Sequence, residues 1–142
     1  MQKLSWSADF PIREEVEDFA GKKRTFDITC FEGGLGYTVR AVEVGAKGEG
    51  FEFAVYSETS PYSALGNLRD KMRREMATRH LARGELGLEM THDALRGRIT
   101  SDGEQGALLV VDGMPVSLDE LANIMRTHEG FTFELRIRDS LE

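Results

Sequence analysis

The three histidines and the single cysteine carry the most specific chemistry in this sequence. His80, His92 and His128 lie far apart along the chain, so no pair has the four-residue spacing with which two metal ligands share one helix face. Cys30 falls inside a predicted strand, where a thiol is typically buried and inert. The sequence therefore predicts no metal site and no cysteine nucleophile, and it implies no cofactor.

One histidine has a carboxylate beside it. His92-Asp93 would supply a general base with an orienting carboxylate, and an enzyme would have to gather this pair, Glu129 and arginines in one cleft. No serine or cysteine in a recognisable activating context accompanies the pair, so a linker in which Asp93 caps a helix is the better interpretation. The sequence favours a non-enzymatic protein and offers no catalytic residue, with an enzyme as the third class of function.

Positive charge is concentrated in one short stretch. Residues 1–68 carry 7 basic and 11 acidic side chains, residues 69–83 carry 6 and 2, and residues 84–142 carry 5 and 12. A helix bearing these cations would suit a phosphate backbone or an acidic partner, although the net charge of −7 argues against general affinity for nucleic acids. A solvated helix face paired with the acidic remainder is the competing interpretation. The candidate binding residues are Arg69, Lys71, Arg73, Arg74 and Arg79.

Length and composition describe one ordinary globular domain. The chain has 142 residues, of which 40% are hydrophobic and 30% charged, enough for a substantial core. Its longest apolar run, 107–111, is far too short for a membrane helix, and the N-terminus lacks the apolar region of a signal peptide. One cysteine excludes an internal disulfide. We predict a soluble, cytoplasmic single domain over 1–142, with structural halves of about 1–83 and 96–142 and no membrane association.

The clearest local signals begin at residue 108. An apolar run over 108–111 predicts a strand, and Asp112-Gly113 predicts a tight turn because both positions tolerate a positive φ. Met114–Val116 is expected to run back along that strand at a sheet edge, since Pro115 cannot donate a backbone hydrogen bond.

A short helix is predicted next. Ser117 and Glu120 fit a capping box at its start, and Gly130 fits the left-handed residue that ends a helix. The apolar residues follow the three-and-four spacing of one buried face. They are Leu118, Leu121, Ala122, Ile124 and Met125.

In residues 131–138 apolar side chains recur at every second position, whereas in the preceding helix they recur every three to four positions. Four apolar side chains alternate with polar ones, which predicts a strand with one core face and one solvent face. The apolar residues are Phe131, Phe133, Leu135 and Ile137, and the polar ones are Thr132, Glu134, Arg136 and Arg138.

The first half alternates in a similar way. Residues 25–31, 37–44 and 51–56 predict three antiparallel strands separated by glycine-rich turns. Residues 13–19 fit either a helix or the first arm of a hairpin, and we favour the hairpin. The first half therefore predicts three or four antiparallel strands.

A long helix is predicted to follow these strands. Ser60 suits its N-cap and Pro61 its first turn, and the helix is expected to reach about Arg83. Residues 84–93 would connect it to the second half, which opens with a strand over 96–100. The expected buried face of the helix consists of Tyr62, Leu65, Leu68, Met72 and Met76.

The C-terminal third, VDGMPVSLDELANIMRTHEGFTFELRIRDSLE, resembles the closing segment of a family of uncharacterised bacterial proteins, with a VDG turn, a short helix and an EGF-x-F-x-L-x-I-x-D strand. Arg79-His80-Leu81 and Arg96-Gly97-Arg98-Ile99 are similar as well, which extends the resemblance over most of residues 13–142. It implies no activity, because none is assigned to that family. The element order in residues 25–83 is also similar to antitoxins of the HicB type and, less closely, to double-stranded-RNA-binding domains. The glycine-cysteine segment of the former and the lysine motif of the latter are missing.

These patterns predict an α+β protein: antiparallel strands followed by a long helix, then a second strand-helix-strand half that is stacked on the first or shares its sheet. We predict a non-enzymatic binding or regulatory module, whose partner is another protein or a second copy of the chain joined through an edge strand. The alternative is a nucleic-acid-binding or antitoxin-like module that uses the basic helix 69–83.

Overall fold

A computed structural model describes residues 5–141 as an α+β protein, as the sequence predicts. The chain forms two compact units, which meet in the sequence between Thr78 and Arg79. The second unit ends at Arg138, and residues 139–141 belong to the first. The strands within 5–141 form three separate sheets, none of which contains strands of both units, so the alternative of two halves sharing one sheet is wrong for these residues. The single domain over 1–142 stays a prediction.

Four antiparallel strands in sequence order form the sheet of the first unit. The ambiguous stretch 13–19 contributes the first strand, so the favoured hairpin is confirmed. Asp18 organises its turn, because its carboxylate accepts hydrogen bonds from the amides of Ala20 and Lys22 and its carbonyl accepts one from Gly21 at φ +76°. The strands are β1 (Ile12–Glu17), β2 (Lys23–Gly33), β3 (Gly36–Glu43) and β4 (Glu52–Ser57).

One face of this sheet is buried by a helix, α1 (Pro61–Met76). Ser60 caps it as predicted: its hydroxyl accepts a hydrogen bond from the amide of Ser63, and Pro61 occupies the first turn. Tyr62, predicted to be buried, is 49% exposed, and its hydroxyl instead donates to Asp9 over 2.6 Å. The core shared by sheet and helix contains Phe26, Ile28, Val39, Ala41, Phe53, Val55, Ala64, Leu65, Leu68, Met72 and Met76.

Helix α1 ends at Met76, seven residues before the predicted end at Arg83. In the second unit the carboxylate of Asp112 accepts hydrogen bonds from the amides of His80 and Leu81, and a strand begins at Leu81, so residues 81–83 do not belong to the helix. Residues 84–93, predicted as a connection, belong mostly to a hairpin of β5 (Leu81–Gly84) and β6 (Gly87–Met90). The linker prediction was therefore wrong here.

The other three strands of the second unit form an antiparallel sheet. The turn at Asp112-Gly113 is confirmed, with φ of 56° and 75°, and Pro115 lies on the short edge strand that follows it. The strands are β7 (Arg98–Ser101), β8 (Ala107–Val111) and β9 (Met114–Val116).

The predicted capping box starts the second helix, α2 (Leu118–Arg126). The Ser117 hydroxyl accepts from the Glu120 amide, and the Glu120 carboxylate accepts from the Ser117 amide, each over 3.1 Å. The predicted buried face is largely wrong, because Ile124 is the one helix residue that is buried. The core of this unit is correspondingly small: Leu81, Val111, Val116 and Ile124.

Residues 131–138 do not form the predicted strand with a core face. No strand is assigned to them, and all eight residues are exposed. The alternation is real, but no described strand lies beside this stretch to accept its backbone hydrogen bonds and no core surface lies under its apolar side chains. Burial needs such a partner as well as a suitable sequence.

Candidate functional site

The most unusual surface of the second unit is the stretch 131–138, which we call the amphipathic segment. Its four large apolar side chains, Phe131, Phe133, Leu135 and Ile137, are between 72% and 88% exposed. Within residues 5–141 the segment makes one backbone hydrogen bond, from the Phe131 amide to the His128 carbonyl over 2.9 Å. Its backbone from residue 132 onward is therefore free to pair, and its apolar side chains are free to be covered.

Helix α2, a few residues before the segment, leaves apolar surface uncovered as well. Leu118 is 50% exposed and Met125 is 58% exposed, although both have the spacing of a buried face. The His128 ring lies edge-on to Phe131, with ring centres 5.3 Å apart, and fixes the start of the segment just beyond the helix. Monomeric proteins rarely expose several large apolar side chains together unless that surface binds something.

The second unit also contains a buried histidine–carboxylate pair that the sequence pattern did not reveal. Asp112 and His80 are both at least nine-tenths buried, and the His80 Nδ1 lies 2.8 Å from the Asp112 Oδ1. The same carboxylate accepts hydrogen bonds from the amides of His80 and Leu81. The sequence predicts the turn at Asp112-Gly113 and its positive φ. No residue near Asp112 in the sequence indicates that its side chain binds His80, 32 residues earlier.

The chemistry of this pair is structural. The carboxylate accepts hydrogen bonds from two amides and from the imidazole Nδ1–H, which fixes the orientation of the ring. Among residues 5–141, no serine or cysteine side chain is hydrogen-bonded to either residue, and no set of three or more His, Cys, Asp or Glu is placed to bind a metal ion. The pair therefore joins β5 to the turn after β8.

The structure distributes the predicted basic residues over both units. Arg69 forms an ion pair with Glu14, Arg73 forms one with Asp70, and Lys71 donates to the carbonyls of Ala54 and Ser140. Arg79 lies outside the helix, in the second unit, and its Nε donates to the Leu81 carbonyl over 2.9 Å.

Arg74 is the one member of the predicted set with no ion pair or hydrogen bond inside residues 5–141. An open groove of about 470 Å³ lies beside the helix and is lined mainly by charged residues of β1 and α1, with Glu14, Arg69 and Arg73 among them. Because acidic side chains share this surface with the cations, its charge is mixed rather than uniformly positive. Nucleic-acid binding through these residues stays a prediction.

The other candidate residues are dispersed. Burial, and to a lesser extent the charge of Glu32, raises the pKa of the half-buried Cys30 thiol, which is the opposite of the lowered pKa that activates a cysteine nucleophile. His92, Asp93 and Glu129 are exposed and form no hydrogen bond or ion pair with any residue in 5–141. The structure does not bring them together by direct contact. Across the same residues, no helix is both long and apolar enough to cross a membrane.

Two family models match the chain, one in each unit. Residues 8–77 match a Domain of unknown function (DUF7686), and residues 80–142 match a Domain of unknown function (DUF7713). The boundary between the matches coincides with the division of the structure between Thr78 and Arg79. No curated protein and no solved structure matches the chain. The chain is thus similar to two families to which no function is assigned.

Proposed function

We propose that the protein is a non-enzymatic binding module whose binding element is the amphipathic segment. The observation that carries this proposal is the exposure of four alternating apolar side chains on an extended stretch of chain with unpaired backbone. An extended peptide with free amides and carbonyls binds by adding itself as a strand to another sheet edge. The partner is therefore a protein. We also propose a bacterial, cytoplasmic setting, the first implied by the family resemblance and the second by the single cysteine.

Two features of the segment support strand addition over a loose hydrophobic contact. Backbone pairing gives such an interface much of its affinity. Residues 132–138 make no backbone hydrogen bond with residues 5–141 of their own chain, so their amides and carbonyls can pair with a partner. The period of two then directs Phe133 and Leu135 to one face of the pair and Glu134 and Arg136 to the other. The same alternation specifies the register, because a slip of one residue would exchange the two faces.

Photo-cross-linking tests the proposal and identifies the partner in the same experiment. The full chain is produced in its native cells with a benzophenone amino acid at Phe133, and the cross-linked products are identified by mass spectrometry. Leu86 provides the matched control, because it is 90% exposed in the turn between β5 and β6 and belongs to no alternating row. We expect one defined protein, or the chain itself, to be joined at Phe133 and not at Leu86.

Two results would overturn the proposal: no product from Phe133, or the same products from both positions. In the first case the apolar row contacts no protein in the cell. In the second case its contacts are those of any exposed apolar side chain, and the alternation has no binding role.

A further inference from the structure

We infer that the partner of the amphipathic segment is the same segment of a second copy of the chain, paired antiparallel about a two-fold axis at Leu135. The inference rests on the proposed function, because it assumes that the segment binds by strand pairing. A two-fold axis places each residue opposite the one that lies equally far on the other side of Leu135. Glu134 of one copy then faces Arg136 of the other, twice per dimer.

The rest of the segment is consistent with this register. Phe133 faces Ile137 on the apolar side, and the two Leu135 side chains face each other at the centre. On the polar side, Thr132 faces Arg138 and brings no like charge against it. Opposite-charge and aromatic–branched pairs across strands are both favourable, so every facing pair from 132 to 138 is compatible.

Neighbouring registers are disfavoured by charge. Because side chains alternate, a shift that keeps the apolar rows together moves the axis by one residue, to Glu134 or to Arg136. An axis at Glu134 sets two carboxylates opposite each other. An axis at Arg136 sets two guanidinium groups opposite each other, although it also sets Glu134 opposite Arg138, whereas the axis at Leu135 sets no like charges opposite each other. The charge pattern therefore selects Leu135 as the axis. It also selects a second copy, because the segment is complementary to itself.

Surface to cover the paired strands is present in the same unit. A two-stranded ribbon is marginal in water unless its apolar face is covered. Helix α2 ends at Arg126, shortly before the segment, and exposes Leu118 and Met125. Each copy thus brings one apolar row and one partly uncovered helix to the dimer.

Charge substitutions test the register in the full-length protein, with the dimer dissociation constant measured by sedimentation velocity. Arg136→Glu sets Glu134 against a second carboxylate, and we expect dimerisation to weaken by about tenfold. Arg138→Glu makes the same change of charge opposite Thr132 and should leave the constant within about twofold. The double variant Glu134→Arg/Arg136→Glu restores both opposite-charge pairs and should restore dimerisation.

A cysteine at the axis gives an independent measurement. In a Cys30→Ser background, Leu135→Cys sets two thiols opposite each other at a distance that suits a disulfide, so mild oxidation should give a covalent dimer. Glu134→Cys should not, because its nearest counterpart lies diagonally across the strands. Circular dichroism of each variant verifies that the chain remains folded.

The outcomes separate the two proposals. Weaker dimerisation of Arg136→Glu, together with restored dimerisation of the double variant, supports pairing between two copies about Leu135. A chain that stays monomeric at every concentration, or a double variant that is not rescued, overturns this inference. The proposed function still stands in that case if Phe133 cross-links to a different protein, and it falls with the inference if Phe133 cross-links to nothing.

Discussion

Strand β2 and the amphipathic segment have the same kind of sequence and opposite surroundings. Phe26 and Ile28 alternate with polar residues in the same way as Phe133 and Leu135 do, yet the first pair is fully inaccessible to solvent and the second pair is at least 76% exposed. The difference is what lies beside and below each stretch: β2 has β1 and β3 as neighbours and α1 over its face, and the segment has none of these among residues 5–141. Alternation decides which side chains share a face, whereas burial depends on a partner.

The two units differ in the same sense. Eleven buried residues form the core of the first unit, and four form that of the second. A small core stabilises a fold weakly, so polar interactions carry more of the stability where apolar burial is limited. The buried carboxylate of Asp112 serves that purpose in the second unit.

Truncation of the larger core should give the largest loss. Leu68→Ala removes a fully buried side chain under the sheet, and we expect the free energy of unfolding of the first unit to fall by about 2–5 kcal/mol. Urea denaturation followed by the fluorescence of Trp6, the single tryptophan, reports on this unit. The matched change Leu35→Ala, at a residue 86% exposed in the same unit, should have almost no effect.

Hydrogen exchange on the Leu68→Ala variant also tests the predicted single domain. If residues 1–142 fold as one cooperative domain, amide protection in residues 79–138 should fall together with that of the first unit. Unchanged protection there would contradict the prediction and show two units that fold independently.

Loss of the buried carboxylate should give the next largest effect. Asp112→Ala leaves the amides of His80 and Leu81 and the His80 ring without their acceptor, at a cost of about 2–3 kcal/mol to the second unit. Asp112→Asn keeps one side-chain oxygen and tolerates the φ of 56°, so it should cost less. Hydrogen exchange of β5 measures both variants, and equal losses would show that neither the retained oxygen nor the tolerated φ preserves stability, so that the complete carboxylate is needed.

Much of this architecture could be predicted from the sequence because its signals are local. The capping box at Ser117, the turn at Asp112 and the cap at Ser60 each depend on residues within four positions of one another. The strand that begins at Leu81, where the helix was predicted to continue, could not be recognised, because its amide bonds to Asp112, 31 residues later in the chain. The exposure of residues 131–138 could not be predicted either, because the alternation of side chains does not show whether a neighbouring strand is present.

A smaller effect is expected at the carboxylate that organises the first hairpin. Burial would raise the pKa of Asp18, but hydrogen bonds from Arg24 and from the amides of Ala20 and Lys22 outweigh it and lower the pKa below its usual value. The folded state thus binds this proton more weakly than the unfolded state. The stabilisation is fully present above the unfolded pKa of about 4 and is lost as pH falls towards the folded pKa.

Asp18→Asn isolates this contribution. At pH 6 we expect the variant to be less stable than the natural protein by about 1–2 kcal/mol, and the difference should shrink as the pH is lowered below about 4. Urea denaturation at a series of pH values measures it. A difference that stays constant with pH would mean that the ionised carboxylate and its bond to Arg24 contribute nothing to the first unit.

The smallest loss of stability is expected when a phenylalanine is replaced at a position where its ring is exposed to solvent. Phe133→Ser, at a ring 88% exposed, should change the free energy of unfolding of the isolated chain by less than about 0.5 kcal/mol. Phe53→Ser, at a ring 7% exposed, should cost several times more, because the core cannot refill the space. Both are measured at a protein concentration too low for association. A loss of several kcal/mol at Phe133 would mean that this ring packs within its own chain, and the contrast between β2 and the amphipathic segment would then disappear along with the binding role that depends on it.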